Sequence, residues 1–172
     1  MNTKVSRFAG LKLLAAFLFM LSVVGPGCFT NSVIDEFSTD MLLPAPGELA
    51  GPIEIRKRYR FSQDPHQAEG IEIVRLSIQV VPEGYDLAMI QRLVLYAEIE
   101  TGELIPLGTA ESFMPGERIA EVDILFVENL ADLVRSDGRL VLVWYLEPNV
   151  WYAGVPIEGI EILGRAVMEI TL

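Results

Sequence analysis

One cysteine and one histidine stand among 172 residues. A single thiol excludes an intrachain disulfide. One His and one Cys do not make a zinc site, which takes several such ligands. A Ser-His-Asp relay needs a histidine to move its proton, and only His66 is available, in the polar stretch Asp64, Pro65, His66, Gln67. That setting reads as an exposed loop histidine; a hydrolase would need it in a cleft beside a serine or aspartate. The sequence also lacks a Gly-x-Ser-x-Gly elbow, a Walker phosphate loop and a D-x-D-x-D-G calcium loop. No catalytic constellation, metal site or cofactor is therefore expected. Paired carboxylates for glycoside chemistry carry no information here, because with 24 acidic residues some pair always lies at a suitable separation.

Positive charge is scarce as well. Thirteen Lys and Arg face 24 Asp and Glu, a formal net charge of −11. The first 27 residues hold only Lys4, Arg7 and Lys12, so the remainder carries ten cations and a charge near −14. Such a surface repels phosphate backbones and argues against nucleic-acid partners. It also disfavours direct adsorption onto anionic lipid heads. What it does provide is solubility.

Long apolar runs are missing except at the start. Residues 13–24 are almost wholly apolar, about 12 residues against the roughly 20 needed to span a bilayer. Basic residues precede the run, and Gly25, Pro26 and Gly27 end it before Cys28. A positive n-region, an apolar core and a small-residue exit form a secretory signal, expected here as a signal helix over 1–27. The cysteine after a small residue resembles the lipobox of bacterial lipoproteins, although Gly25 stands where that family has an aliphatic residue. The resemblance implies a glyceryl-linked diacyl group on the Cys28 thiol and cleavage by signal peptidase II after Gly27. Phe29 in place of the aspartate that retains such proteins in the inner membrane implies the outer membrane. An ordinary signal cut near Gly27 and an uncleaved anchor are the alternatives.

Residues 28–52 carry Pro44, Pro46 and Pro52 and read as lipidated cysteine plus tether, with an early strand within 36–43. From 53 to 172 the apolar period is two. In 53–61, Ile53, Ile55, Tyr59 and Phe61 alternate with charge, and Lys57 interrupts the apolar side. In 71–81 the phase shifts near Val74 and Arg75, the mark of a β-bulge. Leu93, Leu95 and Ala97 share one side, and so do Ile119, Val122, Ile124 and Phe126. The continuous run 140–146 fits a central strand with both faces covered. Turn signals separate these runs, among them Gly84, Gly102, Gly116, Gly138 and Gly159. The expectation is an all-β, antiparallel, immunoglobulin-like β-sandwich over 53–172. Short helical turns fit near 86–92 and, with Asn129 as N-cap, at 129–135. Domains of this kind are common in exported lipoproteins and serve unrelated functions.

Two local features bear on binding. Arg56, Lys57, Arg58 and Arg60 form a basic strand in an acidic chain. It fits either a docking strip for an acidic partner or cross-strand pairing with residues such as Glu72 or Glu98. Trp144, Tyr145, Trp151 and Tyr152 bring both tryptophans to one segment. Trp151 and Tyr152, with Trp144, are candidates for a glycan or peptide platform; the bland alternative is that Trp144 packs in the core and Trp151 covers its open end. Glu98, Glu100 and Glu103 read as a solvated strand face rather than a calcium site. The expected function is a non-enzymatic binding or structural module, held at the envelope by its lipid and meeting an envelope protein or a glycan. A carbohydrate-binding accessory lipoprotein is the alternative.

Overall fold

The computed structural model describes residues 31–44, 52–149, 152 and 158–172. The signal segment, Cys28 and Trp151 lie outside the described residues. Ser32–Leu172 forms one compact unit. Among the described residues nine strands form: β1 (Ser32–Leu43), β2 (Ile53–Arg60), β3 (Gly70–Val80), β4 (Ile90–Glu98), β5 (Leu104–Glu111), β6 (Ile119–Glu121), β7 (Asp123–Ile124), β8 (Arg139–Pro148) and β9 (Ile160–Thr171). They make two antiparallel sheets packed together, with strand orders β1-β9-β3-β6 and β2-β8-β4-β5-β7.

Period-two alternation sets the inner faces. Phe37, Met41 and Leu43 of β1, Ile71, Leu76, Ile78 and Val80 of β3, and Ile160, Ile162, Ala166, Met168 and Ile170 of β9 are buried from one sheet. Leu140, Leu142, Trp144 and Leu146 of β8, with Leu93, Leu95 and Ala97 of β4, meet them from the other. Burying such side chains is worth about 1.5–3 kcal/mol each for the large aliphatics, so this double layer is the main source of stability.

The expected phase shift in β3 is a bulge: pairing to β9 slips between Ile73 and Arg75, and Val74 stands half exposed. Both expected helical turns are 3-10 turns. Asp86 caps Leu87–Met89 and Asn129 caps Leu130–Leu133, each carboxylate or amide oxygen accepting a backbone N–H two residues on. A third such turn, Pro65–Gln67, had no apolar period to announce it.

Two readings need correction. The early strand runs from Ser32 rather than within 36–43, and all twelve of its residues pair with β9, so the sandwich takes in residues assigned to the tether. The alternation of β1 is broken, with polar Asp35 and Thr39 buried on the inner face and apolar Ile34 and Leu42 exposed on the outer one, and this hid its length. Ile119, expected inside, is 60% exposed. Instead the inner series starts at Ala120 and continues through Val122, because β6 pairs with β3 while β7 pairs with β5 and the chain changes sheets between them.

That corner closes one side of the sandwich. On the other side β1 and β2, the free edges of the two sheets, are held by aromatic packing. Phe37 stacks on Tyr59 with centroids 4.7 Å apart and meets Phe61 edge-on at 5.3 Å. Tyr59 shares a short hydrogen bond with the Thr39 hydroxyl and lies 3.0 Å from the Ser38 carbonyl. Burial raises the Tyr59 pKa, and Asp40 adds to the shift while the Thr39 hydrogen bond opposes it.

Candidate functional site

Trp144 is fully buried, facing Gly164 across the core. It is therefore core and not a contact for a glycan. The strand alternation that buries Trp144 turns Tyr145 to the outer face, where it is partly exposed. Tyr152 is partly buried against the core, and Trp151 lies outside the described residues. The aromatic platform thus loses one of its three members.

His66 sits on the exposed Pro65–Gln67 turn and lines a cleft of about 540 Å³. Residues 60–66 form one wall and Ser136, Asp137 and Gly138 the other. Antiparallel pairing of β2 with β8 brings these walls together, because it sets Arg60 opposite Arg139 at the end of the sheet. His66 therefore does lie in a cleft with Ser62, Asp64, Ser136 and Asp137.

Asp64, Ser136 and Asp137 are engaged elsewhere. Asp64 accepts from the His66 backbone N–H and from Gln67 Nε2, both at 3.1 Å. Ser136 Oγ is 3.2 Å from Glu100 Oε2, and Asp137 accepts from the Arg139 backbone at 3.1 Å. Among the described residues no hydrogen bond joins the His66 imidazole to a hydroxyl or carboxylate. The cleft has the residue types of a proton relay without the contacts that make one.

The acidic strand face at 98–103 is also structural in part. Glu98 accepts from Arg135 Nη2 at 2.6 Å and is ion-paired with Arg56, whose Nε lies 3.1 Å from Oε2 without the geometry of a hydrogen bond. Glu100 accepts from the Ser136 backbone and side chain. Glu98 and Arg135 are each more than four-fifths buried, which makes this pair a tie between β4 and the β8 approach rather than a rim contact.

The basic strand divides. Arg56 is neutralised by Glu54 at 2.7 Å and by Glu98. To reach Glu98 on β4 it crosses β8 above Val143, its register partner, which is fully buried on the outer face. An arginine stem is apolar enough to serve as that cover. Expected pairing thus holds for Arg56 with Glu98, whereas Glu72 belongs to the other sheet, opposite Glu169. Lys57, Arg58 and Arg60 are exposed and make no ion pair among the described residues.

Sequence reasoning found the basic strand and missed the cleft. Its signals were two separate turn motifs, at 64–66 and 137–138, and only the β2–β8 register makes them neighbours. No protein-family model matches this chain, and no curated protein matches it.

Proposed function

We propose that this chain is a lipid-anchored, non-enzymatic binding module of the bacterial cell envelope, held in the outer membrane through Cys28. The binding half rests on one observation. In a chain of charge −11, the cations Lys57, Arg58 and Arg60 stand exposed on an edge strand with no ion pair and no second strand neighbour among the described residues. Arg56, Arg92 and Arg165 have carboxylates within reach. Arg75 and Arg118 are exposed without an ion pair among the described residues, but each stands on a different strand or loop, whereas β2 gathers three such cations on one strand. The anchoring half rests on the sequence through Cys28. With β1 starting at Ser32, acylation there leaves only Phe29, Thr30 and Asn31 between the lipid and the first strand.

Mass spectrometry of the mature N-terminus, with membrane fractionation, tests the anchor. The expected result is a diacylated or triacylated Cys28 at the new N-terminus in the membrane fraction, and a Cys28→Ala chain that is not cut there. An unmodified N-terminus on a soluble chain would overturn the lipid anchor.

A further inference from the structure

We infer that β2 is a docking edge for an acidic, extended peptide segment of a partner protein, which adds to the sheet as a tenth strand. The inference rests on the binding-module reading and deepens it by naming the partner's chemistry.

Three observations carry it. First, β2 ends its sheet: β8 pairs with one side, and no described strand pairs with the other. An edge strand leaves every second backbone N–H and C=O without a ladder partner, which is a template for another strand.

Second, charge is placed along that edge in strand register. Arg56, Arg58 and Arg60 project from the outer face at alternate positions, while Lys57 occupies an inner-face position opposite Leu142 and is nevertheless exposed. A cation at an inward position of an edge strand blocks pairing with an apolar strand. A second β2 would bring arginine against arginine, which like-charge repulsion disfavours. An incoming strand with Asp or Glu at every second residue places carboxylates beside Arg58 and Arg60, the two arginines of this face that have no carboxylate among the described residues, about 5 Å away across the ladder. The edge therefore favours an acidic strand over a copy of itself.

Third, the fold contains a local conflict that such a strand relieves. Arg60 and Arg139 are direct cross-strand partners, and only Arg139 has a carboxylate, Asp137, at a loose 3.7 Å. Like charges directly opposite are destabilising, and conflicts of this type collect at functional sites. A partner carboxylate beside Arg60 removes the repulsion.

The test uses the full chain in non-ionic detergent and a labelled ten-residue peptide alternating Glu with Thr, read by fluorescence anisotropy. Two control peptides replace Glu by Lys, or carry an N-methyl group on every backbone amide; the second keeps the charge on a backbone with no N–H to pair on either edge. The test variant is Lys57→Gln with Arg58→Met and Arg60→Gln, in which Met retains an apolar stem over Val141. Binding of the Glu-Thr peptide is expected to weaken at least tenfold in this variant, and wild-type binding to weaken at least tenfold for either control peptide. Hydrogen exchange on the wild-type complex gives a second readout that needs no variant: alternate amides of β2 slow, and those of β6 do not. No binding of the Glu-Thr peptide, equal binding of the N-methylated peptide, or protection away from β2 overturns strand addition. Each of these outcomes leaves the anchoring experiment untouched, because that experiment does not involve β2.

Discussion

Gly164 and Trp144 show how a single atom is fixed by the layer opposite. A Cβ built on Gly164 would lie 2.8 Å from both Cζ2 and Cη2 of the indole and 3.0 Å from Met41 Cε. The ring is fully buried and has nowhere to move, and its Nε1 already lacks a hydrogen-bond partner among the described residues. Glycine is present here for space, whereas Gly138 is present for its backbone, at φ 74° in the turn that starts β8. Overpacking of this kind costs about 1–3 kcal/mol. Gly164→Ala is expected to lower the unfolding free energy by that amount, read as a lower urea midpoint with the slope of the transition unchanged, and Trp144→Phe, which shortens the ring, to recover part of the loss. Full additivity of the two changes in a double-mutant cycle would show that the contact is not the cause.

At the level of elements, β3 shows how one residue can be extra without being wrong. Its inner positions are Ile71 and Ile73 before the bulge and Leu76, Ile78 and Val80 after it. Pairing with β9 shifts by one across Val74, which has no partner. Removing Val74 therefore joins the two halves into one continuous register and keeps all five residues facing inward. Removing Ser77 instead leaves Leu76 and Ile78 adjacent, so one of them must face outward. Thermal unfolding followed by circular dichroism is expected to stay cooperative for the Val74 deletion and to lose cooperativity for the Ser77 deletion. Loss of the fold in both would mean that the bulge itself, with its added twist, is required.

On the scale of the whole molecule, the chain closes on its own beginning. The first and last strands pair over their full length, Ser32 with Thr171 through Leu43 with Ile160, and β9 sits between β1 and β3. Residues 53–172, the span with the clearest alternation, would leave β9 as a bare edge and remove Phe37, Met41 and Leu43 from the core. That fragment is expected to be insoluble or to unfold without a transition, whereas residues 32–172 are expected to give a single cooperative urea transition. Cooperative unfolding of 53–172 would show that β1 is dispensable. Pairing at such sequence distance also places folding in the millisecond-to-second range of sandwich topologies.

The sequence alone determined what depends on near neighbours. Alternation marked β2, β4 and β9, since a strand half in water must alternate, and the continuous apolar run 140–146 marked β8 as a strand covered on both faces. The broken phase at Val74 located the bulge, Asn129 as N-cap located one turn, and the stretch 86–92 held the other, whose Asp86 cap the structure added. Scarcity of His, Cys and Lys limited the chemistry before any coordinate was known. Tertiary structure decided what depends on distant partners. It settled that β1 begins at Ser32, that Trp144 is core, that Arg60 faces Arg139 beside a cleft, and that Lys57 lies on an edge. A strand's own residues show which positions share a face, but its neighbours and its place at the edge or centre follow from the pairing of segments far apart in the chain. Which cations remain without a carboxylate is a property of that pairing, and so the candidate docking edge could be noticed in the sequence but not distinguished there from an ordinary charged strand.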